Sequence, residues 1–227
     1  VAVQDDAREN QLRELFELEK EEGEGRGGND AVLNMDGAAF RFELKSTSDT
    51  ARSVTTVRDF SLDHVAKWEG KHWLIGFYDK AGANLEYCLY GSPAMMAGWI
   101  QEKASYIGPD LLLAGIVPEH LTLEDLYKVC EEKAVYVLTD ARRIHKQQYS
   151  AAEYKAKMDV KDGYSPTRML DILRERARYL ILRGSTLNNP HIPGSYFKHW
   201  TKITEDHAEA LRRMVLEAIA KPKELPK

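Results

Sequence analysis

Cysteine is scarce in this chain: Cys88 and Cys130 are the only two in 227 residues, far apart and without a CxxC partner. That argues against a disulfide framework or a thiolate metal site, and for two reduced core cysteines in a cytosolic protein. No apolar run approaches the roughly 18 residues a membrane helix needs. The opening VAVQDDARENQ is polar and acidic, unlike a signal peptide. The expectation is therefore a cytoplasmic protein with no membrane contact. Internal repeats are lacking too. Hydrophobic residues make up 43% and charged residues 30%, enough for one sizeable core with a smaller appended part.

The net charge of −4 is unevenly spread. Residues 1–50 carry 6 Lys/Arg against 13 Asp/Glu, residues 51–140 carry 8 against 13, and residues 141–227 carry 18 against 10. An acidic front and a basic back fit a polyanion gripped by the C-terminal third, or basic helices that simply face solvent. We accordingly expect a core over 1–140 and a basic, mainly helical part over 141–227, packed on it as one domain.

Periodicity supplies the elements. Residues 7–22 read as an amphipathic helix with Leu12, Leu15 and Phe16 on one face, stopped by a glycine-rich stretch. AVLNM and AAFRFELKS read as strands joined by a tight turn at Asp36-Gly37. Residues 59–69 look helical, HWLIGFYD (72–79) reads as a buried strand, and NLEYCLYG (84–91) as its partner. Ser92-Pro93 opens a helix, Thr122 caps another, and AVYVLT (134–139) reads as a short strand. Helices follow, interrupted by DGYSP and GSTLNNPHIPGS. The pattern predicts an α/β (α+β) fold with a central mixed sheet flanked by helices.

One segment carries chemistry. The pattern acid-x-Lys occurs at Glu43–Lys45, Glu69–Lys71, Glu131–Lys133, Glu153–Lys155 and Asp159–Lys161. Only the first sits on an expected strand; Glu69-Gly70-Lys71 reads as a turn before one, and the other three as helical or turn-like. On a strand, Glu43 and Lys45 share a face while Leu44 points into the core. Asp30 begins the preceding hairpin strand and can lie beside Glu43. Two carboxylates can hold Mg²⁺ while leaving positions for a phosphate oxygen and water. A lysine beside them can orient or deprotonate that water. The competing reading is an ordinary Glu–Lys pair on a surface strand.

From the first helix through Asp30 and Glu43-Leu44-Lys45-Ser46 to HWLIGFY, about 90 residues, the chain resembles the PD-(D/E)xK nuclease superfamily. More narrowly it resembles a type II restriction endonuclease. Asn29 stands where that family usually has proline. The resemblance implies a restriction-endonuclease-like core, Mg²⁺ as cofactor, and metal ligands Asp30, Glu43 and the Leu44 backbone carbonyl, with Lys45 serving the attacking water. It further implies double-stranded DNA as partner and a homodimer in which each subunit cuts one strand. Glu9, on the first helix, is the candidate for a further acidic ligand.

Residues Ser53–Arg58, His64 and Lys67 follow the catalytic strand; Arg58 and Lys67 are the candidates for phosphate contacts, while His64 reads equally as a core histidine. The loop Arg183-Gly184-Ser185-Thr186-Leu187-Asn188-Asn189-Pro190-His191 has the vocabulary of base recognition. Its candidate DNA contacts are Arg183, Ser185, Thr186, Asn188, Asn189 and His191. A hydrogen-bonded turn between helices is the alternative for the same residues. Arg174, Arg176 and Arg178 on the preceding helix are available for phosphates or for ion pairs. A junction resolvase using the same centre and a non-cutting nucleic-acid-binding module are the competing functions. Paired carboxylates also serve glycoside hydrolysis, but a lysine on the same strand suits phosphate chemistry better.

Overall fold

The computed structural model describes residues 2–20, 30–48, 53–187 and 190–220. The chain divides into two compact units, residues 1–104 with 187–227, and residues 105–186. The α/β class expected from the sequence is found: a mixed five-stranded sheet with helices around it. Residue 140, where the sequence suggested a division, lies inside the second unit.

The first unit is built on β1 (Ala31–Met35), β2 (Ala38–Ser48), β4 (His72–Tyr78), β5 (Leu85–Gly91) and β7 (Lys202–Ile203), adjacent in that order. β2 and β4 run parallel and the other neighbours antiparallel. A short ribbon pairs β3 (Ser53–Thr55) with β6 (His191–Pro193). The β1–β2 hairpin closes through Asp36 and Gly37 at φ 51° and 75°, the double positive-φ geometry whose twist matches the flanking strands. β4 is buried along its whole length, as its unbroken apolar run requires.

Strand alternation sorts the two faces of the sheet. Phe42, Leu44, Leu74, Cys88 and Tyr90 form one core with Leu12 and Phe16 of α1 (Ala2–Phe16) and Leu211 and Val215 of α8 (His207–Ala220). α1 comes so close at Gly76 that a Cβ there would stand 3.1 Å from a Leu12 methyl carbon. The opposite face carries Glu43 beside Trp73 and Lys45 beside Ile75. Trp73 packs there with Trp68 and Trp99, from α2 (Leu62–Trp68) and α3 (Pro93–Ile116).

The second unit contains α4 (Leu123–Val129), α5 (Leu138–His145), α6 (Ala151–Ala156) and α7 (Pro166–Gly184). Its core gathers Leu126, Tyr136, Ile144, Tyr154, Tyr164, Met169 and Ile172.

Three elements differ from expectation. α1 stops at Phe16 rather than near residue 22: Glu17 turns left-handed at φ 53°, Leu18 sinks into the core, and Glu19 exchanges two backbone hydrogen bonds with Val32. The segment 134–139 is not a strand. Only Tyr136 finds a partner, an isolated bridge to Tyr164, and the Asp140 carboxylate caps the Val137 N–H so that the chain turns helical at Leu138. α3 runs on to Ile116 through Pro109.

Candidate active site

The hairpin register sets the site. Ala31 faces Phe42, so the next step outward brings Asp30 level with Glu43, as the thirteen-residue separation suggested. The Asp30 carboxylate accepts a hydrogen bond from the Leu44 N–H (2.9 Å), which locks it across the end of the hairpin. Arg13 of α1 donates to the Asp30 carbonyl at 3.0 Å and pairs with Glu9 at 3.8 Å.

Glu43 is 1% exposed and its carboxylate meets three ammonium groups. Lys45 Nζ lies 2.8 Å from Oε1, while Lys71 and Lys67 approach Oε2 at 3.5 and 3.8 Å. Burial pushes the Glu43 carboxyl upward, but Lys45, Lys67 and Lys71 outweigh it and hold the pKa down to about 2. Burial likewise pulls the Lys45 amine downward; the Glu43 and Asp30 carboxylates overcome that and raise it. Lys45 is therefore a cation as the site stands. Its form suits orienting water and stabilising negative charge; acting as a base would require it first to lose that proton. Glu9 joins the cluster electrostatically: burial raises its pKa, and Asp30 adds to the rise.

The oxygen set tests whether a metal fits. Lys45 Nζ donates to Glu43 Oε1 (2.8 Å) and to the Leu44 carbonyl (3.0 Å), and stands 3.8 Å from Asp30 Oδ2. Three oxygens thus converge on one positive charge, and they are the ligands the resemblance implied. Among the described residues, no group of three or more His, Cys, Asp or Glu side chains could hold a metal. Two carboxylates and a carbonyl suit a hard cation that keeps several of its waters, as Mg²⁺ does.

His64 and Lys67 part company. His64 Nδ1 accepts from the Ser61 N–H at 3.3 Å, and the ring stacks on Phe60, so it serves the start of α2. Burial, then Lys67, depresses its pKa. Lys67 points to Glu43 from the same helix. Arg58 is exposed in the loop after β3.

The 183–191 segment crosses from the second unit into the first. Arg183 is exposed in the last turn of α7. Ser185 Oγ donates to the Leu182 carbonyl at 2.6 Å and Thr186 Oγ1 to the Arg183 carbonyl at 3.2 Å, so both hydroxyls finish that helix. His191 Nδ1 lies 3.2 Å from Thr55 Oγ1 across the β3–β6 ribbon. Asn188 and Asn189 lie outside the described residues. Within the second unit, Arg174 donates to the Leu121 carbonyl and Arg178 binds Glu119 at 3.0 Å, while Arg176 lies over the Tyr179 ring.

Lys71 was missed by sequence reasoning. Its tripeptide Glu69-Gly70-Lys71 is indeed a turn, with Gly70 at φ 72°. Parallel pairing sets Trp73 beside Glu43, and Lys71, two residues earlier, falls on the same face. The signal lay in its place just before the buried strand.

No protein-family model matches the chain, and no curated protein matches it in sequence. No helix among the described residues is long and apolar enough to cross a membrane.

Proposed function

We propose that this chain is a Mg²⁺-dependent DNA endonuclease, more finely a site-specific double-strand endonuclease of the type II restriction class, cytoplasmic and working as a homodimer. One observation carries the reading: Asp30 Oδ2, Glu43 Oε1 and the Leu44 carbonyl converge on one point, which the Lys45 ammonium from the same strand now fills. Asp30, Glu43 and Leu44 would hold Mg²⁺, with Glu9 near enough to bear on it. When bound, the metal supplies Lewis acidity and a source of hydroxide at neutral pH. Lys45 in its ammonium form orients the water and offsets charge gathering on the scissile phosphate. A water oxygen bonds to phosphorus, one P–O bond to sugar breaks, and the leaving oxygen takes up a proton. Arg58, Lys67, Arg183, His191, Asn188 and Asn189 remain the proposed DNA contacts.

The test is incubation of mixed-sequence plasmid with the protein and Mg²⁺, followed by sequencing of the ends, alongside Asp30→Asn. That variant keeps an oxygen to accept the Leu44 N–H but loses the charge. Cutting at one fixed sequence by the parent, lost in Asp30→Asn, supports the proposal. Equal cutting by both refutes the assignment of the centre, and cutting confined to branched DNA would favour a junction resolvase.

A further inference from the structure

Near Glu43 opens a cleft of about 640 Å³, lined by Ala39, Phe40 and Arg41 of β2 and by Lys67 and Lys71. Asp63 and Glu69 stand at its wall as the acidic members. Lys71 is 3% exposed. Removing an ammonium from water is expensive and is offset only by close, well-formed contacts. The contact Lys71 has, 3.5 Å to Glu43 Oε2, is at the outer limit of a hydrogen bond, and that of Lys67 is longer. The nearer oxygen of Glu43 already belongs to Lys45 at 2.8 Å. Asp30 adds a second carboxylate 3.8 Å from Lys45, and two carboxylate charges still fall short of three ammoniums. Lys67 and Lys71 are thus gathered at one wall of a solvent-connected cleft, with more positive charge than their shared partner answers.

The geometry points to a phosphodiester-binding subsite in this cleft, in which Lys67 and Lys71, facing Arg41, hold a backbone phosphate of the nucleic acid next to the one at Asp30, Glu43 and Lys45. A phosphate fits better than a carboxylate ligand because two ammoniums with long carboxylate contacts line the cleft, and a phosphodiester offers a non-bridging oxygen to each. The ammoniums would turn from the far oxygen of Glu43 to those oxygens. This subsite rests on the proposed nuclease reading for its ligand, and extends it to Lys71, which lies outside the set Asp30, Glu43 and Lys45.

The test measures binding of a fluorescent duplex without divalent metal, at a series of KCl concentrations, for the parent, Lys67→Met, Lys71→Met and the charge-keeping Lys67→Arg. Removing one lysine–phosphate interaction should flatten the slope of log K against log[salt] by about 0.9. We expect Lys67→Met and Lys71→Met each to weaken binding several-fold and flatten the slope by about one, and Lys67→Arg to leave the slope unchanged. Should Lys71→Met fail to fold, as its tryptophan fluorescence would reveal, Lys67→Met on the helix surface still decides the matter. A second arm replaces single phosphates by neutral methylphosphonates: one position should weaken the parent and have no further effect on Lys67→Met. An unchanged slope in Lys67→Met, with no such position, overturns the subsite even if the parent cuts DNA. A flattened slope with no Mg²⁺-dependent cutting upholds the subsite and sinks the nuclease reading. Inorganic phosphate that displaces the duplex equally from parent and Lys67→Met would place the anion elsewhere and count against it.

Discussion

Glu43→Gln should cost the first unit about 3 kcal/mol of stability. Glutamine keeps the shape and removes the charge that three ammoniums share. The magnitude follows from the carboxyl itself, whose pKa falls from an ordinary 4.5 to about 2 in the folded chain. At about 1.4 kcal/mol per pH unit, that difference is worth about 3 kcal/mol. The sign follows from the lowered value: the contribution is complete above pH 4.5 and disappears as the pH falls toward 2. The parent should therefore lose in acid what Glu43→Gln has already lost at pH 7, and the variant's stability should change less over that window. Urea unfolding followed by tryptophan fluorescence reads the right unit, because Trp68, Trp73, Trp99 and Trp200 all belong to it. A neutral-pH loss below about 0.5 kcal/mol, the size of an ordinary surface substitution, would refute the claim that Glu43 anchors the lysines. Mg²⁺ should raise the parent's midpoint through binding to the folded state and leave that of Glu43→Gln nearly still.

Lys45→Met should lower the cleavage rate by orders of magnitude while Mg²⁺ binds at least as tightly, since the competing ammonium has gone; calorimetric titration checks the second part. Lys161→Ala, on the discarded Asp159–Lys161 pair, should leave the rate of cutting at its parental value in single-turnover assays. His72 is buried, its Nδ1 2.7 Å from the Tyr90 hydroxyl, and burial lowers its pKa to about 4. Below pH 6.5 the unfolded chain takes up a proton that the folded one refuses, so stability should fall by about 3 kcal/mol between pH 6.5 and 4. His72→Asn should flatten that slope in the same urea titration. Ser185→Ala should cost about 1 kcal/mol, the usual worth of a hydrogen bond, with sequence preference in a randomised-site cleavage library unchanged; a changed preference would make its hydroxyl a reader of DNA.

The hairpin was legible because its information is local. Asp36-Gly37 dictates a two-residue turn, the turn dictates the register, and the register brings Asp30 level with Glu43. Period-two alternation then places Glu43 and Lys45 on one face. Lys71 was not legible in that way. Its approach to Glu43 depends on which residue of β4 stands beside β2, and that is decided by Leu44 and Leu74 packing side by side under α1. No spacing rule carries such an offset across 28 positions. The missed end of α1 has the same origin: Glu17, Leu18 and Glu19 have good helical composition, yet Leu18 gains burial in the core and Glu19 gains a partner in Val32. Conversely, AVYVLT has strand composition but only Tyr136 is offered a partner, and β-structure without a neighbouring strand has nowhere to place its hydrogen bonds.

The net charge of a segment does not tell how much of that charge is free, because a charge already answered inside the fold has little left for a ligand. In the second unit Arg174 and Arg178 bind carbonyls and Glu119, Lys157 holds Glu175 at 2.7 Å, and Arg168 pairs with Asp171. Much of the basic composition of residues 141–187 therefore holds that unit together. The acidic front of the chain contains the reverse case: three lysines, of which Lys71 is buried, share the Glu43 carboxylate, with Asp30 as a second carboxylate beside Lys45. The sign of a segment's net charge hides both situations. What matters is the ratio of cations to carboxylates within reach of one another, and the proposed anion subsite rests on that ratio at Glu43 although the residues around it in sequence are predominantly acidic.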